Sequence, residues 1–220
     1  MELSLAEENY LKSIYHLSEN GNGEVSTNSI AEDINTKPAS VSDMMRKLSD
    51  KGVIQYQKYK GVQISEKGRK IALGVIRKHR LWEVFLLEKL GFKWDEVHDI
   101  AEQLEHIKSP LLIKKLDEFL GHPTVDPHGD PIPDEHGEIH FEPQLSLAEM
   151  EVGKSGIVVN VPDSNPALLR HLDQIKMQLG SKIKIKDKVE FDGSVLISIN
   201  EQTPIYLSGT ISQNIMLKVK

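Results

Sequence analysis

Residues 38–65 read PASVSDMMRKLSDKGVIQYQKYKGVQIS, and this stretch decides the fold of the first part of the chain. Pro38 suits the first turn of a helix, and apolar residues recur at helical spacing as far as Gly52. Two short apolar alternations, residues 53–58 and 62–65, then flank a Tyr-Lys-Gly turn, which is typical of a hairpin. The stretch therefore predicts a helix followed by a two-stranded wing.

Two further helices are predicted before this stretch. Residues 4–18 have an amphipathic pattern after a Ser4 cap with Glu7 three positions later, and a second helix is expected over residues 28–34. Three helices followed by a hairpin predict a winged helix-turn-helix, which we expect within a first domain of residues 1–73.

Positive charge is concentrated on this module, although the whole chain has a formal net charge of -6. Between Lys37 and Lys70 there are nine basic residues against three acidic ones, a local balance of +6. In such modules the third helix enters the major groove and the wing contacts phosphates, so we expect double-stranded DNA as a partner. The alternative is a protein-interaction module with a solvated basic surface. The candidate DNA-contacting residues are Lys37, Ala39, Ser40, Ser42, Asp43 and Arg46 on the third helix and Lys58, Tyr59 and Lys60 on the wing.

Composition excludes several classes of protein. The chain has 220 residues, enough for two or three units, and it contains no cysteine, which excludes disulfides, thiolate metal sites and cysteine nucleophiles. No apolar run approaches the roughly 18 residues that a membrane span needs. The first residues, Met-Glu-Leu-Ser, lack the basic and apolar regions of a signal peptide, so a cytoplasmic protein is expected.

The rest of the chain divides into a helical part and a β part. Helices are predicted over residues 66–90, 94–107 and 110–120, which with a proline-rich and glycine-rich linker form a middle domain of residues 74–143. Short alternating strands and one helix near residues 166–179 predict a small barrel over residues 144–220. The expected fold class is mainly α with a small all-β domain.

Metal-capable side chains recur on the first two helices of the middle domain. The spacing of four residues places an imidazole and a carboxylate on one helix face twice over. A single such pair is better interpreted as surface charge, but two stripes on consecutive helices favour a divalent metal such as manganese, iron, cobalt, nickel or zinc. The candidates are His79, Glu83, His98, Glu102, Glu105 and His106.

Six short motifs follow one another along the chain: ENYLKSIY (residues 8–15), YQKYKG (56–61), RKHRL (77–81), VHD (97–99), EH (105–106) and PHGDPIP (127–133). This ordered set resembles the DtxR/MntR family of metal-dependent transcriptional repressors. The resemblance implies a homodimer with an N-terminal winged helix, a helical dimerisation domain that holds the metals, and a C-terminal SH3-like domain of the FeoA type.

The resemblance also implies two metal sites. An ancillary site corresponds to His79, Glu83 and His98, and in longer members a residue of the SH3-like domain completes it, for which Asp163 is the candidate. A regulatory site joins the first helix to the second helix of the middle domain. Its matching residues here are Asn9, Glu102, Glu105 and His106.

Two positions bear on the choice of metal. Glu102 stands where iron-responsive members usually have a sulfur ligand, which favours Mn2+ over Fe2+ because carboxylates prefer harder ions. Lys12 stands where some manganese-responsive members place an extra acid, and Asn9 replaces a carboxylate, which argues against a binuclear manganese arrangement.

The predicted function is metal-activated repression of manganese or iron uptake genes by a protein that is not an enzyme. Metal that binds only when the first helix docks would shift the population towards a DNA-binding state. A metallohydrolase and a DNA-binding protein without metal are the alternatives. The histidines His122, His128, His136 and His140 are interpreted as loop residues, because proline-rich spacing gives them no shared face.

Overall fold

The computed structural model describes residues 2–18, 21, 23–57, 60–162 and 165–219, and it confirms the predicted fold class. The chain forms two compact units. The first takes the chain up to His79 with residues 103–113 and 133–139, and the second takes residues 80–102, 114–132 and the chain from His140. In chain order, the elements are α1 (Leu5–Leu17), α2 (Thr27–Asp33), α3 (Pro38–Asp50), β1 (Ile54–Gln57), β2 (Gly61–Ile64), α4 (Glu66–Leu90), α5 (Val97–Leu104), α6 (Pro110–Leu120), β3 (Leu145–Ser146), β4 (Ser155–Asn160), α7 (Pro166–Gln174), β5 (Lys182–Lys188), β6 (Val195–Ile199), β7 (Ile205–Leu207), α8 (Gly209–Gln213) and β8 (Met216–Val219).

The first unit contains the winged helix-turn-helix. α1 begins with a capping box, in which Ser4 Oγ accepts from the Glu7 N–H at 3.3 Å and the Glu7 carboxylate accepts from the Ser4 N–H at 2.8 Å. β1 and β2 pair antiparallel, with Ile54 opposite Ile64, and form the stem of the wing. Its core includes the fully buried residues Leu11, Ile14, Ile30, Val41, Met45, Leu48 and Val62.

The second unit contains the β domain. Its six strands are all antiparallel, in the order β3-β8-β4-β5-β6-β7. Alternate residues of β5, such as Ile183 and Ile185, point into the core, while Lys182 and Lys184 are exposed. The alternation of apolar and polar residues that predicted the barrel therefore also places the apolar side chains in its core.

Several element bounds differ from the sequence prediction. α5 begins at Val97 rather than at residue 94, because Trp94 is buried in the core of the second unit and its Nε1 donates to Asp173 Oδ2 at 3.0 Å. The preceding segment is therefore held as a turn. α7 ends at Gln174 rather than near residue 179, and the short elements β3 and α8 were not predicted. Among the described residues, every helix is too short or too polar to span a bilayer.

Candidate metal centre

The candidate DNA-contacting residues of α3 lie mostly on its solvent face. Lys37, Ala39, Ser40, Asp43 and Arg46 are exposed. The half-buried Ser42 donates from its hydroxyl to Pro38 O at 3.1 Å, and Arg46 forms an ion pair with Asp43 at 3.3 Å. On the wing Lys60 is exposed, while Lys58 and Tyr59 lie outside the described residues.

The first metal-capable group lies in the first unit, and we call it the Glu105 cluster: Glu8, Lys12, His79, Glu105 and His106. Glu105 and His106 lie in the turn after α5, and the Glu105 side chain is fully buried. Lys12 Nζ is 2.8 Å and 2.9 Å from the two Glu105 oxygens, and His79 Nδ1 is 2.6 Å from Oε2. His106 Nδ1 is 2.6 Å from Glu8 Oε2, and its Nε2 is 3.6 Å from Glu105 Oε1. The cluster therefore joins α1, α4 and the turn after α5.

Glu105 is held in its charged form within this cluster. Burial raises the pKa of Glu105, but the hydrogen bond from His79 and the ammonium of Lys12 outweigh burial, and the pKa lies below its ordinary value. The side chain is consequently a carboxylate, which is the form that binds a metal ion.

The structure brings Glu8 rather than Asn9 to His106. Asn9 is exposed on α1, whereas Glu8 is buried. Neighbouring helical residues point about 100° apart, so only one of the two can face the same partner. Glu8 was not among the residues predicted from the sequence, because the family's motif position indicates Asn9. Glu102 is half exposed, and its Oε1 is 3.8 Å from His98 Nε2.

The second metal-capable group lies in the second unit, and we call it the Glu83 cluster: Glu83, Asp126 and His128. All three are buried, and one ligand atom from each lies within 4.8 Å of the other two. His128 Nδ1 is 3.8 Å from Glu83 Oε1, and His98 Nδ1 approaches the same oxygen to 3.6 Å. His79 precedes Glu83 by one turn of α4.

A tight turn presents Asp126 and His128 to this cluster. Asp126 Oδ1 accepts from the N–H groups of His128 at 2.8 Å and Asp130 at 3.0 Å. Gly129 has φ +93°, and a Cβ there would lie 1.9 Å from Val159 O, so no other residue fits without movement of the backbone. The turn therefore requires glycine at this position, and it holds the side chains of Asp126 and His128 in place beside Glu83.

The tautomer of His128 suits a metal ligand. His128 Nε2 lies 2.8 Å from Trp94 O, and because a carbonyl only accepts, Nε2 carries the proton. In the neutral ring Nδ1 then holds the lone pair, and this atom has no hydrogen-bond partner among the residues that the structure describes. The ring also stacks on Trp94, with centroids 6.2 Å apart.

Electrostatics in the Glu83 cluster favour a cation. Burial, together with the nearby carboxylates of Asp130 and Glu83, raises the pKa of Asp126 well above its ordinary value, and Arg80 opposes this only in part. Arg80 Nε is 3.4 Å from Asp126 Oδ2, an atom that also has no hydrogen-bond partner within the described part of the chain. Two carboxylates and an imidazole fit a divalent metal that prefers O and N ligands, and within the described ranges of the chain the buried atoms Asp126 Oδ2 and His128 Nδ1 are not hydrogen-bonded.

The linker histidines behave differently from one another. His128 lies in a loop, as predicted, but its side chain is fully buried. His122, His136 and His140 are exposed. The local pattern Asp-Pro-His-Gly-Asp at residues 126–130 was the available signal, since an acid two residues before a histidine in a glycine turn brings both side chains together. Asp163, the candidate ligand from the β domain, lies outside the described residues.

Three families match consecutive parts of the chain. The iron dependent repressor N-terminal DNA binding domain matches residues 2–62, the iron dependent repressor metal binding and dimerisation domain matches residues 65–134, and the FeoA domain matches residues 145–219.

Individual relatives are consistent with these matches. The iron-dependent repressor IdeR of Mycobacterium tuberculosis (strain H37Rv) is 36% identical over 132 residues, which are 60% of this chain and 57% of IdeR. The chain thus spans little more than half of that relative. The diphtheria toxin repressor of Corynebacterium diphtheriae is 28% identical over 212 residues, covering 88% of each chain.

A solved structure described as a manganese-dependent transcriptional repressor in complex with manganese matches almost the whole fold. Its TM-score is 0.89 at 35% identity, with 97% of this chain and 100% of that chain covered. The resemblance seen in the sequence is confirmed over all three parts of the molecule. The chain belongs to the DtxR/MntR family of metal-dependent transcriptional repressors.

Proposed function

We propose that this chain is a homodimeric, metal-dependent transcriptional repressor that binds operator DNA and controls manganese or iron uptake genes. It would act in the cytoplasm as a regulator and not as an enzyme. The observation that carries the proposal is the contact of Glu8, on the first helix of the DNA-binding module, with His106 beside the buried Glu105. A metal-ligating group built in this way links the position of α1 to metal.

The physical basis is linkage. Glu8, Glu105 and His106 would hold a divalent cation only while α1 stays docked, so metal stabilises the docked state by its binding free energy. Docking of α1 fixes the orientation of α3, and in a dimer two recognition helices must match half-sites about one DNA turn apart. Asn9 and Glu102 remain predicted ligands of this regulatory site.

The Glu83 cluster is the second proposed metal site. Glu83, Asp126 and His128 supply two carboxylates and one imidazole from a buried position. His79, His98 and Asp163, which the sequence assigns to the ancillary site, remain predicted ligands there. Because Glu83 lies on α4 and Asp126 and His128 lie in the linker, a bound metal ion would hold the linker against α4.

Mn2+ is the proposed metal, with Fe2+ second. The donor atoms of both clusters are oxygen and nitrogen, and the chain has no cysteine. Sites of carboxylate and imidazole, without sulfur, favour harder ions such as Mn2+. The names of the relatives include both metals, so the choice depends on this ligand argument.

The test is operator binding in parallel titrations with Mn2+, Fe2+ and Zn2+, followed by fluorescence anisotropy. We expect chelation to weaken binding strongly, Mn2+ to restore it at the lowest concentration, and Glu105→Ala to abolish the restoration. Glu190→Gln, at an exposed position of the β domain, is the matched control. Affinity unchanged by chelation and by Glu105→Ala would contradict the proposed function, and equal potency of the three metals would contradict the preference for Mn2+.

A further inference from the structure

The Lys12 ammonium contacts both oxygens of the Glu105 carboxylate. The two distances are 2.8 Å and 2.9 Å, and the Lys12 side chain is 15% exposed while that of Glu105 is fully buried. A carboxylate offers a metal ion the same two oxygen atoms. An ammonium and a divalent cation therefore compete for one binding position.

The carboxylates of the cluster already face positive charge before any metal binds. The Lys12 ammonium contacts Glu105, and the half-buried Lys78, outside the cluster, interacts electrostatically with Glu8 and Glu105. A divalent cation that entered this group would add two positive charges beside these ammonium groups, and such added charge is costly away from water. Departure of the Lys12 ammonium removes one of those positive charges.

We propose that Lys12 is a tethered competitor of the regulatory metal: a divalent cation binds Glu105 only when the Lys12 ammonium leaves, so Lys12 sets the metal concentration at which the site fills. This inference rests on the proposed function, in which Glu105 is a metal ligand. The exchange needs no proton transfer, because the partly exposed side chain moves towards water while it remains an ammonium.

The proposal predicts how two substitutions of Lys12 change the dissociation constant for Mn2+. Lys12→Gln removes the competing charge and keeps a polar side chain of similar reach, so the dissociation constant for Mn2+ should fall by about tenfold or more. Lys12→Arg keeps the charge and can bind a carboxylate through two parallel hydrogen bonds, so it should bind Mn2+ no more tightly than the unaltered protein.

The first experiment is a competition titration of Mn2+ against a fluorescent chelator, with the whole 220-residue chain. The part of the isotherm that disappears in Glu105→Gln reports the regulatory site. Lys51→Gln is the control. Lys51 follows α3 and forms a comparable ion pair, at 2.6 Å, with Glu7 of α1. Tightening in Lys12→Gln that is absent in Lys51→Gln and in the double variant Lys12→Gln/Glu105→Gln supports the proposal.

A second measurement needs no variant and so avoids any loss of folding. The reaction of lysine amines with an acylating reagent is followed by mass spectrometry, with and without Mn2+. We expect the Lys12 labelling rate to rise by about threefold or more on Mn2+ loading, since its amine becomes exposed to solvent. The Lys51 rate is expected to stay constant.

These measurements test separately whether Glu105 is a metal ligand and whether Lys12 competes with the metal. If Glu105→Gln leaves the Mn2+ isotherm unchanged, Glu105 is not a ligand, and the regulatory site of the proposed function falls together with the competitor. If the isotherm depends on Glu105 but Lys12→Gln does not tighten it, or if Lys12 labelling does not rise, only the competitor role is overturned. Tighter Mn2+ binding by Lys12→Arg would also overturn it.

Discussion

Two aspartates in the linker have the same local turn but different surroundings. Asp126 Oδ1 accepts from the N–H groups two and four residues later, and Asp134 Oδ1 does the same. Both turns have a glycine with positive φ, at Gly129 and Gly137. Only Asp126 lies buried beside Glu83, so turn chemistry and metal chemistry can be separated at these two positions.

Asp126→Asn should therefore weaken Mn2+ binding at the Glu83 cluster, and Asp134→Asn should not. Asparagine keeps the Oδ1 acceptor that each turn needs, but it removes the negative charge that a cation binds. We expect a loss of about tenfold or more in affinity for Asp126→Asn, the size usual for a disturbed metal site. Isothermal titration and Mn2+-induced change in Tm measure it. Equal losses in the two variants would show that the turn, not the charge, matters.

The first helix offers a second comparison between neighbouring residues. Glu8→Gln removes the carboxylate that lies 2.6 Å from His106 Nδ1, while Asn9→Ala removes an exposed amide. We expect Glu8→Gln to weaken Mn2+-dependent operator binding by about tenfold or more, and Asn9→Ala to weaken it less, because a neutral amide is a weaker metal donor than a carboxylate. Anisotropy with a labelled operator measures both. A larger effect of Asn9→Ala would support the ligand that the family's motif position indicates.

These residues show what the sequence could predict of the sites. Spacing of four on a helix identified His79 with Glu83 and His98 with Glu102, because helical periodicity links position to face. The same periodicity does not give the absolute rotation of α1, so Glu8 and Asn9 could not be distinguished. Asp126 and His128 come from a loop, which has no period, and only tertiary packing places them beside Glu83.

At the level of elements, α4 contains two glycines with opposite surroundings. A Cβ at Gly68 would lie 1.9 Å from the carbonyl oxygen of Val53, the residue before β1. A Cβ at Gly74 would meet no atom within 4 Å. Gly68 therefore permits close approach of helix and backbone. Gly74 only adds conformational freedom to the unfolded chain.

Gly68→Ala should destabilise the protein by about 1–3 kcal/mol, because an overpacked contact forces the backbone to move. Gly74→Ala should stabilise it by about 0.5–1 kcal/mol, since alanine is the better helix former. Urea denaturation followed by circular dichroism measures both free energies of unfolding. Stabilisation by both substitutions would mean that α4 does not pack on the wing as described.

Caps and breakers explain why most elements were predicted and a few were not. Ser4, Pro38 and Pro110 mark helix starts that the structure reproduces, because these residues act through local backbone geometry. The start of α5 was misplaced because burial of Trp94 in a distant core overrides local propensity. The two-residue β3 exists only through pairing with β8, which no local pattern specifies.

At the scale of the whole molecule, charge is divided between functions. The net charge is -6, yet residues 37–70 carry a local balance of +6. Exposed Arg46 and Lys60 belong to that basic region, and the carboxylates of the Glu105 and Glu83 clusters account for part of the acid elsewhere. A cation-binding region and an anion-binding region on one chain need this separation, since like charges in one region would weaken both activities.

Operator binding should therefore depend on salt through the winged module and not through total charge. Neutralising Arg46 and Lys60 as Arg46→Gln/Lys60→Gln should reduce the slope of log K against log salt by about 0.9 for each DNA phosphate that the protein no longer neutralises. The charge-matched control is Lys182→Gln/Lys184→Gln, on the exposed face of β5. Both double variants change the net charge by the same amount. Operator titrations of the Mn2+-loaded protein at several salt concentrations therefore distinguish the effect of charge on the winged module from the effect of total charge. An equal reduction of the slope in the control would mean that the β domain also binds the DNA backbone.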